Sequence, residues 1–254
     1  MKKPEFSLDN KVALITGAAG GIGEAIVDLF GAAGARLFVN GTKEEKLKTL
    51  SDRLTEKGVE HSYKAIDITA PGAPQTLVDA VIDEMGTIDI LVNCAGINRP
   101  QRSEDVTEEN WDDIYNINVR ALFFVSQAAG RFMIEKRQGK IINMSSQSGG
   151  VALPLRAAYC SSKGAVDQIT RTLAYEWAEY NVQVNAVAPT FVETPFTRGM
   201  LEDEAFRSFV IGSIPAGRMA TPQEVAYATL FLATDVANII TGHILLVDGG
   251  WTIK

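Results

Sequence analysis

Short runs of β-branched and aliphatic residues alternate along this chain with longer stretches whose apolar positions recur every three or four residues. A run that is apolar throughout suits a strand buried on both faces, and the longer periodic stretches suit amphipathic helices. Strands are predicted over residues 12–15, 36–39, 63–66, 88–92, 140–143, 182–187 and 244–247, and helices over 22–33, 44–57, 75–85, 111–136 and 159–180. Strands joined through helices form parallel pairs, and the helices then cover the sheet on both sides. The predicted fold is therefore α/β: one Rossmann-like, doubly wound parallel sheet of seven strands, in a single domain over residues 1–254.

Most connections are short. Residues 145–158 and 189–222 are the exceptions, and both read as long loops following the carboxyl ends of strands. Long loops in compact domains usually carry function, and open parallel sheets bind ligands at that edge.

The first strand runs into T-G-A-A-G-G-I-G, from Thr16 to Gly23, and then into a helix. Gly17 permits a sharp exit from the strand, Gly21 lets peptide N–H groups approach a pyrophosphate, and Gly23 allows close helix packing. With Ile22, these residues form a candidate dinucleotide site at a helix N-terminus. The strand–turn–helix setting makes the glycines informative, since a glycine cluster alone is a weak signal.

A second cluster lies further along. Tyr159 and Lys163 stand four residues apart in Y-C-S-S-K, so a helix places them on one face. Removing an alcohol proton as hydride leaves the same carbon requires a base whose pKa lies near the working pH. A phenol titrates near 10, so reaching about 7 needs roughly 4 kcal/mol of differential stabilisation. An ammonium neighbour favours phenolate, and the cationic ring of an oxidised nicotinamide adds to it. Ser145 and Ser146, thirteen residues or so upstream, are candidates for orienting the substrate oxygen.

The glycine spacing is G-x-x-x-G-x-G, and the order of Asp67, N-C-A-G at 93–96, Asn118, Ser146, Y-x-x-x-K and V-N-A-V-A-P at 184–189 resembles the short-chain dehydrogenase/reductase family over nearly the whole chain. That resemblance implies NAD(P)-dependent oxidoreduction at CH–OH groups. It selects Ser146 over Ser145, makes Asn118 the holder of a water linked to the lysine, and gives Lys163 the nicotinamide ribose. It puts Asp67 and Ile68 at the adenine, Asn93, Ala95 and Gly96 along the adenosine ribose and middle of the cofactor, and Pro189, Val192 and Thr194 at the carboxamide. Thr190 stands where relatives usually carry glycine. Residues 190–220 resemble the family's substrate cover.

The end of the second strand distinguishes the two cofactors. Gly41 stands at the usual carboxylate position and Thr42 at the position that is often basic, so neither signature is complete. Nothing acidic opposes a 2′-phosphate and Lys43 is near, so NADP is slightly favoured over NAD. For the substrate, Arg99, Arg156 and Phe196 are candidates, and an inward arginine favours an acidic or hydroxyl-rich molecule. Tracts such as A-G-I-N-R at 95–99 and I-P-A-G-R at 214–218 are similar to the sugar-acid and polyol dehydrogenases of the family. Reduction of a 3-oxoacyl or other ketone substrate is the alternative within the same chemistry. A cofactor-binding sensor or scaffold without turnover is the alternative outside it, and the full set of Asn118, Ser146, Tyr159 and Lys163 argues against it.

Composition narrows the setting. A net charge of -7 disfavours nucleic acid as a partner, and no apolar run is long enough for a membrane span. Two cysteines without metal spacing fit a cytoplasmic protein, and His61 and His243 are too far apart in sequence to suggest a metal site. The long helices carry apolar residues on more than one side, with Leu122, Phe123, Phe124 and Val125 in one and Ile169, Leu173 and Trp177 in the other. Such helices need further burial, and a homotetramer is expected.

Overall fold

A computed structural model describes residues 6–253, the side chains of Pro195, Phe196 and Met200 excepted. The strands are β1 (Val12–Thr16), β2 (Arg36–Gly41), β3 (His61–Ala65), β4 (Ile90–Asn93), β5 (Gly139–Met144), β6 (Val182–Pro189) and β7 (Ile244–Val247). They form one sheet in the order β3-β2-β1-β4-β5-β6-β7, every neighbouring pair parallel. All seven predicted strands are present, with ends displaced by one or two residues.

Strand side chains alternate between two cores. Ala13, Ile15, Leu37 and Val39 face one, where they meet α1 (Gly21–Ala32) and α2 (Glu44–Glu56). Val12, Leu14, Phe38 and Leu91 face the other, packed by α3 (Ala73–Met85). Phe30 and Phe38 are completely buried, one in each core, and a side chain of that size contributes about 1.5–3 kcal/mol when removed from water.

The helix predicted over 111–136 is not one regular helix. It comprises α4 (Glu108–Tyr115), a π-helical turn (Asn116–Ala121) and α5 (Leu122–Lys136). A π turn inserts an extra residue without breaking the apolar pattern, so periodicity does not detect it. Asn118 sits inside that turn. The helix predicted over 159–180 is α6 (Ala157–Trp177), extended by a 3₁₀ turn (Ala178–Tyr180).

The long loop expected over 189–222 is corrected. It holds α7 (Pro195–Arg198), a 3₁₀ turn (Gly199–Glu202) and α8 (Glu204–Ser213), and α9 (Pro222–Ala233) follows at once. Asp203 caps α8 by accepting from the Ala205 and Phe206 amides, while Thr221 and Glu224 form a capping box on α9. Phe206 and Phe209 of α8 meet other aromatic rings, and α9 buries residues around much of its circumference. α9 therefore gives no clear apolar stripe. α9 packs beside α1, while α5 and α6 join α3 on the opposite face.

Candidate active site

The strand order reverses between β1 and β4, so the segments leaving their carboxyl ends diverge and open a crevice. Gly17, Gly21, Ile22 and Gly23 form its floor. Gly17 has φ +64°, and a Cβ there would meet the Ala95 backbone at 2.8 Å. A Cβ on Gly23 would meet the Gly17 carbonyl oxygen at 2.2 Å. No side chain caps α1 at Gly20, so its first amides are directed at the crevice without a protein acceptor from the cap. Bare peptide donors in a cradle that a methyl group would fill are what a pyrophosphate needs, and the residues present fit a dinucleotide.

Gly41, Thr42, Asp67, Ile68, Ala95 and Gly96 line the same crevice. So do Lys43 and Lys46; the second was missed because helical position, not sequence adjacency, brings it there. Asn93 does not line it. Its Nδ2 donates to Ser126 Oγ at 2.8 Å and Asn143 Oδ1 at 2.9 Å, on the same face of β4 as Leu91. Asn93 was expected along the adenosine ribose; its side chain instead ties β4, β5 and α5 together.

Beyond the glycine loop the crevice continues into a second cleft, lined by Ser146, Tyr159, Lys163, Pro189, Val192 and Thr194. Tyr159 and Lys163 stand one turn apart on α6, with the ammonium 5.7 Å from the phenol ring centroid. Lys163 Nζ donates to the Met144 carbonyl at 2.7 Å. Ser146 closes a tight turn by accepting from the Ser148 amide, and its hydroxyl interacts with Tyr159. Asn118 accepts from Ile97 N and donates to Ile97 O, both at 2.9 Å, and donates to Ser162 Oγ at 3.1 Å. It thus pins the segment after β4 to α6.

Burial dominates the electrostatics. It lowers Lys163 to about 8, with the Cys94 thiol and Asp167 opposing. It pushes Cys94 up to about 12. It also raises the Tyr159 phenol, against the lowering influence of Ser146 and Arg156. The phenol is thus raised by its own burial, while the ammonium expected to lower it is bonded to the Met144 carbonyl.

The substrate candidates separate. Arg156 lines the cleft, with its guanidinium 5.6 Å and 5.3 Å from the ring centroids of Phe191 and Phe206 and a hydrogen bond to the Pro154 carbonyl at 2.9 Å. Arg99 is half exposed and committed to α4, ion-paired with Asp113 at 2.7 Å and bonded to Asn110 at 2.8 Å, which corrects its reading as a cleft residue. The Phe196 side chain lies outside the described residues. Sequence reasoning passed over Gln147 and Asn98 in the cleft, and Asp167 behind it. Adjacency to Ser146 was the available signal for Gln147. Among the described residues no group of three or more His, Cys, Asp or Glu side chains gathers to hold a metal.

A family model described as enoyl-(acyl carrier protein) reductase matches residues 17–252. The chain belongs to the short-chain dehydrogenase/reductase family. It is 40% identical to the D-threitol dehydrogenase of Mycolicibacterium smegmatis over 98% of this chain and 96% of that one. It is 36% identical to the 5-keto-D-gluconate 5-reductase of Escherichia coli K12, over 98% of both. The solved gluconate 5-dehydrogenase of Burkholderia cenocepacia, in complex with NADP and tartrate, superposes with a TM-score of 0.95 at 35% identity, over 98% of both chains. A 3-oxoacyl-[acyl-carrier-protein] reductase of Vibrio cholerae stands at similar identity. As a member of this family, the protein is an oxidoreductase acting at CH–OH groups with NAD or NADP.

Proposed function

We propose that the protein interconverts a secondary alcohol and a ketone on a sugar acid or polyol, with Tyr159 as the acid–base group. The observation that carries this reading is the meeting of Ser146, Tyr159 and Lys163 in one cleft continuous with a pyrophosphate cradle. In the oxidative direction the Tyr159 oxygen takes the substrate hydroxyl proton while Ser146 donates to the same substrate oxygen. A bound dinucleotide supplies the hydride acceptor. Lys163 contributes positive charge beside the phenol and Asn118 holds the lysine's side of the cleft in place. Pro189, Val192 and Thr194 hold the nicotinamide end. The substrate reading draws support from relatives named for gluconate and threitol.

NADP is the proposed cofactor, since Lys43 and Lys46 border the crevice near Gly41, with no carboxylate at that strand end. One domain with a cover at about 190–220, a cytoplasmic setting and a homotetramer complete the proposal. Leu122, Val125, Leu173 and Trp177 are already buried within the chain, whereas Phe124, Tyr175, Tyr227 and Leu246 remain exposed and support further burial. Both cysteines are free thiols, and among the described residues no helix is long and apolar enough to cross a membrane. Light scattering that finds a stable monomer at micromolar concentration overturns the tetramer.

A panel of sugar acids, polyols and 3-oxoacyl thioesters, each with both cofactors, tests the substrate reading. Highest kcat/KM on a polyhydroxylated substrate is expected; preference for the thioester overturns it.

A further inference from the structure

The cleft beside Tyr159 holds polar atoms whose hydrogen bonds the protein does not make. Gln147 is 1% exposed, yet neither Oε1 nor Nε2 has a partner, and Thr190 Oγ1 and Asn98 Oδ1 are also without one. Four of the nine such atoms among the described residues belong to these three side chains. All three residues line the cleft that contains Ser146 and Tyr159. A buried amide without protein partners destabilises the fold, and in a cleft its donors and acceptors are available to a ligand that matches them.

Their placement follows from the sheet. Gln147 begins the turn after β5 and Thr190 leaves the end of β6, and β5 and β6 are paired neighbours. The two residues therefore enter the cleft from adjacent strand ends. Arg156, at the start of α6, brings a guanidinium to the same cleft between the Phe191 and Phe206 rings. A guanidinium has five N–H donors in a planar fork that matches a carboxylate. An acyl chain offers nothing to the Gln147 amide, whereas a hydroxyl is both donor and acceptor.

We propose that Gln147, assisted by Thr190, reads the hydroxyls next to the reacting carbon while Arg156 takes a terminal carboxylate, so that the substrate is an open-chain polyhydroxy acid. The proposal rests on the sugar-acid or polyol reading above and chooses between its two members. It makes Gln147 a specificity-determining residue outside the set that moves the proton.

The test compares the full-length protein with Gln147→Leu, Gln147→Met and Arg156→Gln on a sugar acid, the polyol of equal length and a simple secondary alcohol. Replacing Gln147 with either apolar residue is expected to lower kcat/KM about 10- to 100-fold on both polyhydroxylated substrates, by removing a buried hydrogen-bonding group, and by clearly less on the simple alcohol. Cofactor affinity is expected to hold, and the melting temperature to rise, because an unsatisfied buried amide has been removed. Arg156→Gln is expected to raise KM for the acid about tenfold or more, the loss expected of a charge-assisted pair, while KM for the polyol changes little; any change in kcat through the Tyr159 phenol is expected to be shared by both substrates. Unchanged kcat/KM in both Gln147 variants, or an equal effect of Arg156→Gln on KM for acid and polyol, overturns this inference and leaves the broader function standing. A wild-type protein inactive on every polyhydroxylated substrate overturns both.

Discussion

Lys163 Nζ donates a 2.7 Å hydrogen bond to the Met144 carbonyl, and this bond joins the helix that carries Tyr159 to the strand that delivers Ser146. Met144 ends β5, two residues before Ser146, so one contact fixes the spacing of the phenol, the ammonium and the hydroxyl. The ammonium is enclosed, and burial lowers it to about 8.

Asp167, one turn beyond Lys163, tunes that ammonium. It accepts a 2.5 Å hydrogen bond from Ser145 Oγ, and its charge raises Lys163. Asp167→Asn keeps an acceptor for Ser145 and removes the charge. The inflection assigned to Lys163 in the pH profile of kcat/KM is expected to move below about 8, with the fold intact. A profile that stays in place shows that Asp167 only holds the loop.

Gly23→Ala puts a methyl group 2.2 Å from the Gly17 carbonyl oxygen. That contact is far inside van der Waals distance and both atoms belong to the cradle. Cofactor affinity, followed by fluorescence titration, is expected to fall about tenfold or more, the cost of a misplaced loop of about 1.4 kcal/mol. Secondary structure is expected to persist.

Lys43 and Lys46 set the cofactor preference if the adenosine 2′-phosphate sits at the end of β2. Replacing both with alanine is expected to weaken NADP about fivefold to tenfold and leave NAD within about twofold, the scale of exposed charge pairs. The difference is expected to shrink as salt is raised. Equal losses for both cofactors contradict the assignment.

Far from the cleft, Lys140 is buried without a partner for Nζ and is lowered to about 8 by burial, against an ordinary value near 10.5. Below pH 8 the folded protein holds a poorly solvated ammonium there. Between about 8 and 10.5 the unfolded chain binds the extra proton, so this group's contribution to stability rises with pH. Lys140→Met is expected to raise the melting temperature at pH 7, and the gain is expected to fade toward pH 10.5. A gain that is constant with pH assigns the effect to packing.

The sheet was legible because its central strands β1, β4, β5 and β6 are fully buried and are separated by longer periodic helices, so period and length agreed. Tyr159, Lys163 and the glycine loop were legible because local spacing alone brings each group together. The rest depended on three-dimensional context. The π turn around Asn118 leaves no trace in an apolar pattern, and α8 packs on aromatic side chains from distant segments. Asn93 opens the N-C-A-G motif and pairs beside Thr16, yet its side chain is held by Ser126 and Asn143 and not by the crevice. The raised phenol could not be read either, since burial depends on all the elements around α6.

Turnover by Tyr159→Phe is the most direct measure of the central claim. The substitution removes one hydroxyl from a cleft otherwise unchanged. With the best polyhydroxylated substrate, kcat is expected to fall at least about a thousandfold, within the range attributed to a positioned acid–base group. Cofactor affinity is expected to stay within about threefold of wild type, or about 0.7 kcal/mol. A variant that retains wild-type turnover contradicts the account.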